Sequence, residues 1–150
     1  TNCSANESVT ITEPANLIVT VANTNVICNG GNNGTATVSV SGGSGGYTYL
    51  WSNGQTSATA TGLVSGNYTC TVADLNGCTI NSGNIFVSQP TALSISNSTL
   101  AVSCNGGNNG TATVIPNGGT SPYFYLWNNG ITNQSLTGLN SGTYTCWRQR

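Results

Sequence analysis

Hydrophobic and polar residues alternate along much of the chain. From Thr35 to Ser41, Ala36, Val38 and Val40 fall on one side and Thr35, Thr37, Ser39 and Ser41 on the other. A period of two predicts a half-buried β-strand. Tyr47, Tyr49 and Trp51 share one face of a further strand, with Thr48 and Leu50 on the other. Weaker alternation predicts strands over 56–61 and 68–73, the latter with Tyr68, Cys70 and Val72 on one face. Leu17-Ile18-Val19-Thr20-Val21 and Leu93-Ser94-Ile95 read as lead-in strands, and 79–88 as a last strand before Pro90. The segments between them carry turn residues: Asn29 to Gly34, Gly42 to Gly46, Ser52-Asn53-Gly54, and the Asn76-Gly77 hairpin signal. No segment shows helical periodicity.

The pattern occurs twice. CysAsnGlyGlyAsnAsnGlyThrAlaThrVal starts at Cys28 and again at Cys104, 76 positions on. Tyr47, Tyr49, Leu50 and Trp51 map onto Tyr123, Tyr125, Leu126 and Trp127, and Gly66, Tyr68 and Cys70 onto Gly142, Tyr144 and Cys146. A fixed period of this length marks tandem structural units. Cys3 and Pro14 match Cys78 and Pro90, so the first residues belong to the same pattern. The expected organisation is the last strand of an upstream repeat over 1–14, a complete repeat over 15–90, and a second repeat over 91–150 that lacks its last strand. The chain then reads as a window on a longer array, or as one whose neighbours complete it. Trp147–Arg150 breaks the repeat and holds the only basic residues.

About seven short strands without helices predict an all-β fold of tandem immunoglobulin-like, PKD-like β-sandwiches. Gly66-x-Tyr68-x-Cys70 has the spacing of a tyrosine corner, in which the hydroxyl ties down the bend before the sixth strand. Trp51 lies where such sandwiches bury a tryptophan.

Composition narrows the functional classes. Five residues are charged, three acidic and two basic, and there is no histidine, lysine or methionine. Nucleic-acid binding through a basic patch is excluded, because phosphate contact needs Lys and Arg. No apolar run approaches the ~20 residues of a membrane-spanning helix. Near-zero net charge favours self-association. Six cysteines at fixed phase, without His partners or a CxxC pair, point to disulfides and an oxidising compartment rather than zinc.

CysAsnGlyGlyAsnAsnGly, TyrThrTyrLeuTrpSerAsnGly, GlyLeuValSerGlyAsnTyrThr and AspLeuAsnGlyCysThr together resemble the SprB-type repeats of surface adhesins in gliding Bacteroidetes. The resemblance covers the chain except Trp147–Arg150. It implies an immunoglobulin-like or PKD-like sandwich, secretion, a structural or adhesive role and no catalytic residue. Family repeats carry cysteines of the Cys28 and Cys78 type, with an aliphatic residue where Cys70 and Cys146 stand.

Two disulfide patterns follow. The sandwich topology favours Cys28–Cys70 and Cys104–Cys146 within their units, each worth up to about 4 kcal/mol. Cys3 and Cys78 are then left for inter-domain or inter-chain contact. The family pattern instead pairs the Cys28 and Cys78 types.

Candidate chemistry is sparse. Glu7, Glu13 and Asp74 occupy no equivalent positions, so paired-carboxylate hydrolysis has no basis and no enzyme is expected. Asp74 reads as turn chemistry, not as part of a calcium site. Neither metal nor cofactor is expected. The glycine-rich 29–34 segment precedes a strand, not a helix, and so reads as a turn rather than a phosphate cradle. The aromatic rows Tyr47, Tyr49, Trp51 and Tyr123, Tyr125, Trp127 read either as core or as a glycan-stacking surface. Sequons start at Asn2, Asn6, Asn33, Asn67, Asn97, Asn109 and Asn133, and attached glycan would solubilise a nearly uncharged surface.

The expected function is a structural repeat of a secreted fibre or cell-surface adhesin stalk, self-associating into a filament or tandem array. The alternative is a carbohydrate-binding module that contacts surface polysaccharide. Residues 5–13 correspond to 81–89 and are a spare copy of the last strand. They are expected to complete the last repeat of a neighbouring chain by strand addition.

Overall fold

The computed structural model describes Cys3 and residues 5–149. Thr1, Asn2 with its sequon, Ser4 and Arg150 lie outside the described residues. Among these residues there are thirteen β-strands and no helix. The chain divides into two compact units, one of Thr1–Thr24 with Gly34–Val87, the other of Asn25–Asn33 with Ser88–Arg150.

In the first unit the strands are β1 Ile18–Thr24, β2 Gly34–Ser41, β3 Thr48–Trp51, β4 Thr59–Leu63, β5 Gly66–Tyr68, β6 Cys70–Ala73, β7 Thr79–Asn81 and β8 Ile85–Val87. One sheet has the order β1-β2-β4, a second β3-β6-β7, and β5 pairs with β8. All these pairings are antiparallel. The predicted alternation places the core. Ala36, Val38, Ala60 and Leu63 are buried from the first sheet, Trp51, Cys70 and Val72 from the second, and Ile85 and Val87 from β8. On β3 the register leaves Leu50 exposed and Trp51 buried.

Three elements differ from the sequence pattern. The expected strands over 68–73 and 79–88 each break, at Thr69 and at Ser82–Asn84. Ser82 causes the second break: its hydroxyl accepts the Cys70 N–H at 2.9 Å, its own N–H donates to the Cys70 carbonyl, and Gly83 turns at φ +73°. Each strand therefore splits into a half that joins the β3-β6-β7 sheet and a half that forms the β5–β8 pair. The fourth strand starts at Thr59, not Thr56, because 55–58 is held otherwise. The Gln55 side chain bonds the Thr61 backbone twice, at 2.9 and 3.0 Å, and the Ser57 carbonyl accepts the Trp51 indole.

In the second unit β9 Ser94–Leu100, β10 Gly110–Asn117 and β12 Ser135–Leu139 form one sheet, and β11 Phe124–Trp127 pairs with β13 Cys146–Gln149. The registers repeat those of the first unit at the 76-residue offset. Gly34↔Leu63 and Ala36↔Ala60 become Gly110↔Leu139 and Ala112↔Leu136, with the same irregularity between them. Gly62 and Gly138, both at φ +68°, supply the backbone conformation that this bulge needs. Residues 146–149 keep the strand register despite their divergent side chains, since Trp127↔Cys146 and Phe124↔Gln149 repeat Trp51↔Cys70 and Thr48↔Ala73. Ala112, Val114, Trp127, Leu136 and Leu139 form the core, with Tyr125, Tyr144 and Cys146 half-buried against it.

Candidate functional site

The aromatic rows are core at their centre. Trp51 and Trp127 are buried, and each indole N–H donates at 2.8 Å to a backbone carbonyl, of Ser57 and of Asn133. Neither indole face is open for sugar stacking. Tyr47, Tyr49, Tyr123 and Tyr125 are half-buried. The Tyr47 and Tyr123 hydroxyls donate to the carbonyls of Gly42 and Gly118, closing the loop before each third strand. Tyr68 and Tyr144 make the tyrosine corner, donating to the carbonyls of Val64 and Asn140, four residues upstream, at 3.1 and 3.2 Å.

Asp74 is buried and works as a turn cap. Its carboxylate accepts the backbone N–H groups of Ser44 at 2.9 Å, Asn76 at 3.0 Å and Cys78 at 2.8 Å. Those bonds, Ser44 first, hold its carboxyl below the usual range against the opposing effect of burial. One side chain thereby ties the Gly42–Gly46 loop to the Asp74–Cys78 hairpin. Glu7 and Glu13 are exposed on the segment before β1.

The Cys70 thiol is fully buried, and burial pushes its pKa up, so it stays protonated at neutral pH. Cys146 is half-buried against the second core, while Cys3, Cys28, Cys78 and Cys104 are exposed. Cys70, Cys78, Cys104 and Cys146 are free thiols in this structure. The sequon residues Asn6, Asn33, Asn67, Asn97, Asn109 and Asn133 are all exposed. Two of them also build turns: Asn33 accepts the Ile27 N–H and Asn109 the Ser103 N–H, both at 3.0 Å.

The largest difference between matching surfaces lies beside the fifth strand. In the first unit, β8 pairs with β5 in the register Gly66↔Val87, Asn67↔Phe86 and Tyr68↔Ile85. In the second unit Gly142–Tyr144 is not a strand and has no such partner among the described residues. A groove of about 470 Å³ runs there, lined by Leu100, Val102, Ala112, Leu139, Gly142 and Tyr144 among others. A smaller hollow of about 200 Å³ is lined by Ile95, Trp127 and Cys146 with neighbouring residues. Sequence reasoning did not find these hollows, because their lining comes from strands far apart in the chain.

The SprB repeat family model matches residues 20–56 and 96–132. Both segments are SprB repeats. SprB repeats belong to cell-surface proteins of the adhesin type. The two matches share one phase, 76 residues apart, and each covers most of the first strand, the second and third strands and the turn after Trp51 or Trp127. The tyrosine corner and the Cys70 and Cys146 positions lie outside the matched SprB segments, while the groove is lined from both sides of the boundary, by Leu100, Val102 and Ala112 within the second match and by Leu139, Gly142 and Tyr144 beyond it. No curated protein and no solved structure matches the chain.

Proposed function

We propose that the chain is a structural repeat of a secreted extracellular fibre or cell-surface adhesin stalk. Its sandwiches join head to tail, covalently in an array or by strand exchange, and it has no catalytic role. One observation carries this proposal: the same sandwich is built twice in the same register. The side chains that differ from a plain core, Tyr47, Tyr68, Trp51 and Asp74, spend their polar atoms on the chain's own backbone. Such a unit supplies length and shape rather than a reaction centre. Disulfides Cys28–Cys70 and Cys104–Cys146 belong to the proposal, and non-reducing peptide mapping of the exported protein checks them. The functional test is immunogold labelling of intact cells with antibody raised against residues 28–103. Label along surface fibres, removed by external protease, is expected. Label confined to the cytosol would overturn the proposal.

A further inference from the structure

We infer that Asn67 carries an N-linked saccharide whose first sugar lies on the Phe86 ring. The inference rests on the surface location in the proposed function and adds a modification site to it.

Phe86 is the aromatic side chain that the first unit leaves in solvent. Trp51 is buried and Tyr47, Tyr49 and Tyr68 are half-buried, whereas Phe86 is 58 % exposed. Its neighbours Ile85 and Val87 are buried, so alternation along β8 turns the Phe86 side chain outward. Its backbone is held on two sides. β5 pairs with it, and the Phe86 carbonyl accepts an N–H of the Asn23 side chain at 3.1 Å.

Asn67 stands directly opposite Phe86 in that pairing. Side chains so paired share one face, with Cβ atoms about 5 Å apart. Asn67 is exposed, and its strand is paired on one side only. The Asn67 carbonyl oxygen Oδ1 accepts an N–H from Asn84 Nδ2 at 3.1 Å, which fixes the plane of the carboxamide. Its Nδ2 has no partner among the described residues. Asn67-Tyr68-Thr69 is a sequon. Thr69 lies at the break between β5 and β6, where its N–H donates to the Ser52 hydroxyl at 3.3 Å and its carbonyl accepts the Ser52 N–H at 2.9 Å. Its own hydroxyl makes no such bond among the described residues.

The other sequons lack this combination. Asn33 Oδ1 is spent on the Ile27 N–H, and both ends of the Asn109 carboxamide are spent on Ser103. The sequon hydroxyl after Asn133, on Ser135, is shared with Thr113 at 2.9 Å. Asn97 stands opposite Val114, and Asn6 lies in no strand, so neither has a ring across from it. At the repeat offset, Thr143, Ser8 and Thr10 stand where Asn67, Asn84 and Phe86 do. Amide, clamp and ring therefore occur together at one place, and that place lies outside the matched SprB segments.

The chemistry is a group transfer from a glycosyl phosphate or diphosphate donor, brought by a transferase of the cell. Asn67 Nδ2 bonds to the anomeric carbon of the sugar. The bond from that carbon to the phosphate oxygen breaks, and the phosphate leaves with the electron pair. The amide gives up one proton. The attached sugar then finds the Phe86 ring on its own face of the sheet. Sugar C–H groups carry slight positive charge and the ring face slight negative charge, so the two attract while the ring loses contact with water. A polar glycan over an exposed ring also serves a surface with almost no charged side chains.

The test is peptide mass mapping of the protein purified from the cells that make it. The expected result is a peptide containing Asn67 that is heavier by one oligosaccharide and releases sugar fragments. Asn67→Gln and Thr69→Val should abolish the added mass, and Thr69→Ser should keep it. Asn67 and Phe86 lie outside the core, so variants at either position fold. Melting then reads the ring: Asn67→Gln should lower the first unit's Tm by about 4 °C in the parent, and by much less in a Phe86→Ala background. An unmodified Asn67 would overturn the inference, as would added mass that survives Thr69→Val. Equal drops in the two backgrounds would overturn the place given to Phe86. Surface fibres that label normally while Asn67 is bare would remove this inference alone and leave the stalk proposal standing.

Discussion

The two units hold nearly the same inward-facing residues, yet one is closed and the other open. Leu63 is 1 % exposed and its counterpart Leu139 9 %, while Cys70 is fully buried and Cys146 only half-buried. Ala36 and Trp51 are likewise better covered than Ala112 and Trp127. The register of the sheets is the same, so pairing in the sheets is not what closes the core. Ile85 and Val87 close it, each by burying a side chain worth about 2 kcal/mol. A three-residue strand thus separates a sealed sandwich from one with a groove.

The largest test of this contrast removes the central indoles. Trp51→Ala and Trp127→Ala should each cost about 4 kcal/mol. The second unit, without the β8 contribution, should lose amide protection throughout β10, while the first stays folded and weakened. Equal loss of protection in β2 and β10 would break the comparison. Next in size, Val87→Asn puts an unpaired amide into the first core, at about 3 kcal/mol. Protection at 63–68 should fall to the level of 139–144. If 63–68 keeps its protection, β8 is not what closes the unit.

Tyr68→Phe and Tyr144→Phe should each cost about 1 kcal/mol, since each loses one hydrogen bond to backbone. The costs should match, because the corner is built the same way in both units. A much larger cost at Tyr144 would mean that the open unit leans on its corner. The smallest effect concerns acid. The depressed Asp74 carboxyl contributes stability above its unfolded value near pH 4, and this is lost as pH falls through its folded value. Melting of the first unit should therefore be flat from pH 5 to 8, with no histidine to titrate, and drop only in stronger acid. Asp74→Asn should remove that acid limb. The matching position in the second copy is Arg150, so the second unit should show no such limb. A steep fall between pH 5 and 8 would contradict both expectations.

Much of the fold was legible because it is written in side-chain alternation. The strand at 35–41, the buried Trp51 and the Tyr68 corner each follow from local spacing, and the repeat confirms them a second time. The breaks at Thr69 and Ser82–Asn84 were not legible. They depend on the Ser82 hydroxyl meeting Cys70 across the sheet, a contact twelve residues apart in sequence. The shift of β4 depends in the same way on Gln55 reaching Thr61. The correspondence of 5–13 with 81–89 could be read from the repeat offset, although 5–13 forms no strand in the structure. The polar contacts after β8 could not, since Asn29 meets the Pro90 carbonyl and Gly30 meets Gln89 across 61 and 59 positions, which only folding brings together. The aromatic rows stayed ambiguous in sequence because alternation gives a side, not its depth.

The β1–β2 ladder joins seven residue pairs, Ile18↔Ser41 through Thr24↔Thr35, whereas β5–β8 joins three. A tensile load entering before β1 therefore meets more than twice as many paired residues as one leaving after β8. Stretched end to end, such a sandwich should yield first at its last strand. Under tension the β5–β8 pair would part and re-form before the longer β1–β2 ladder was torn open.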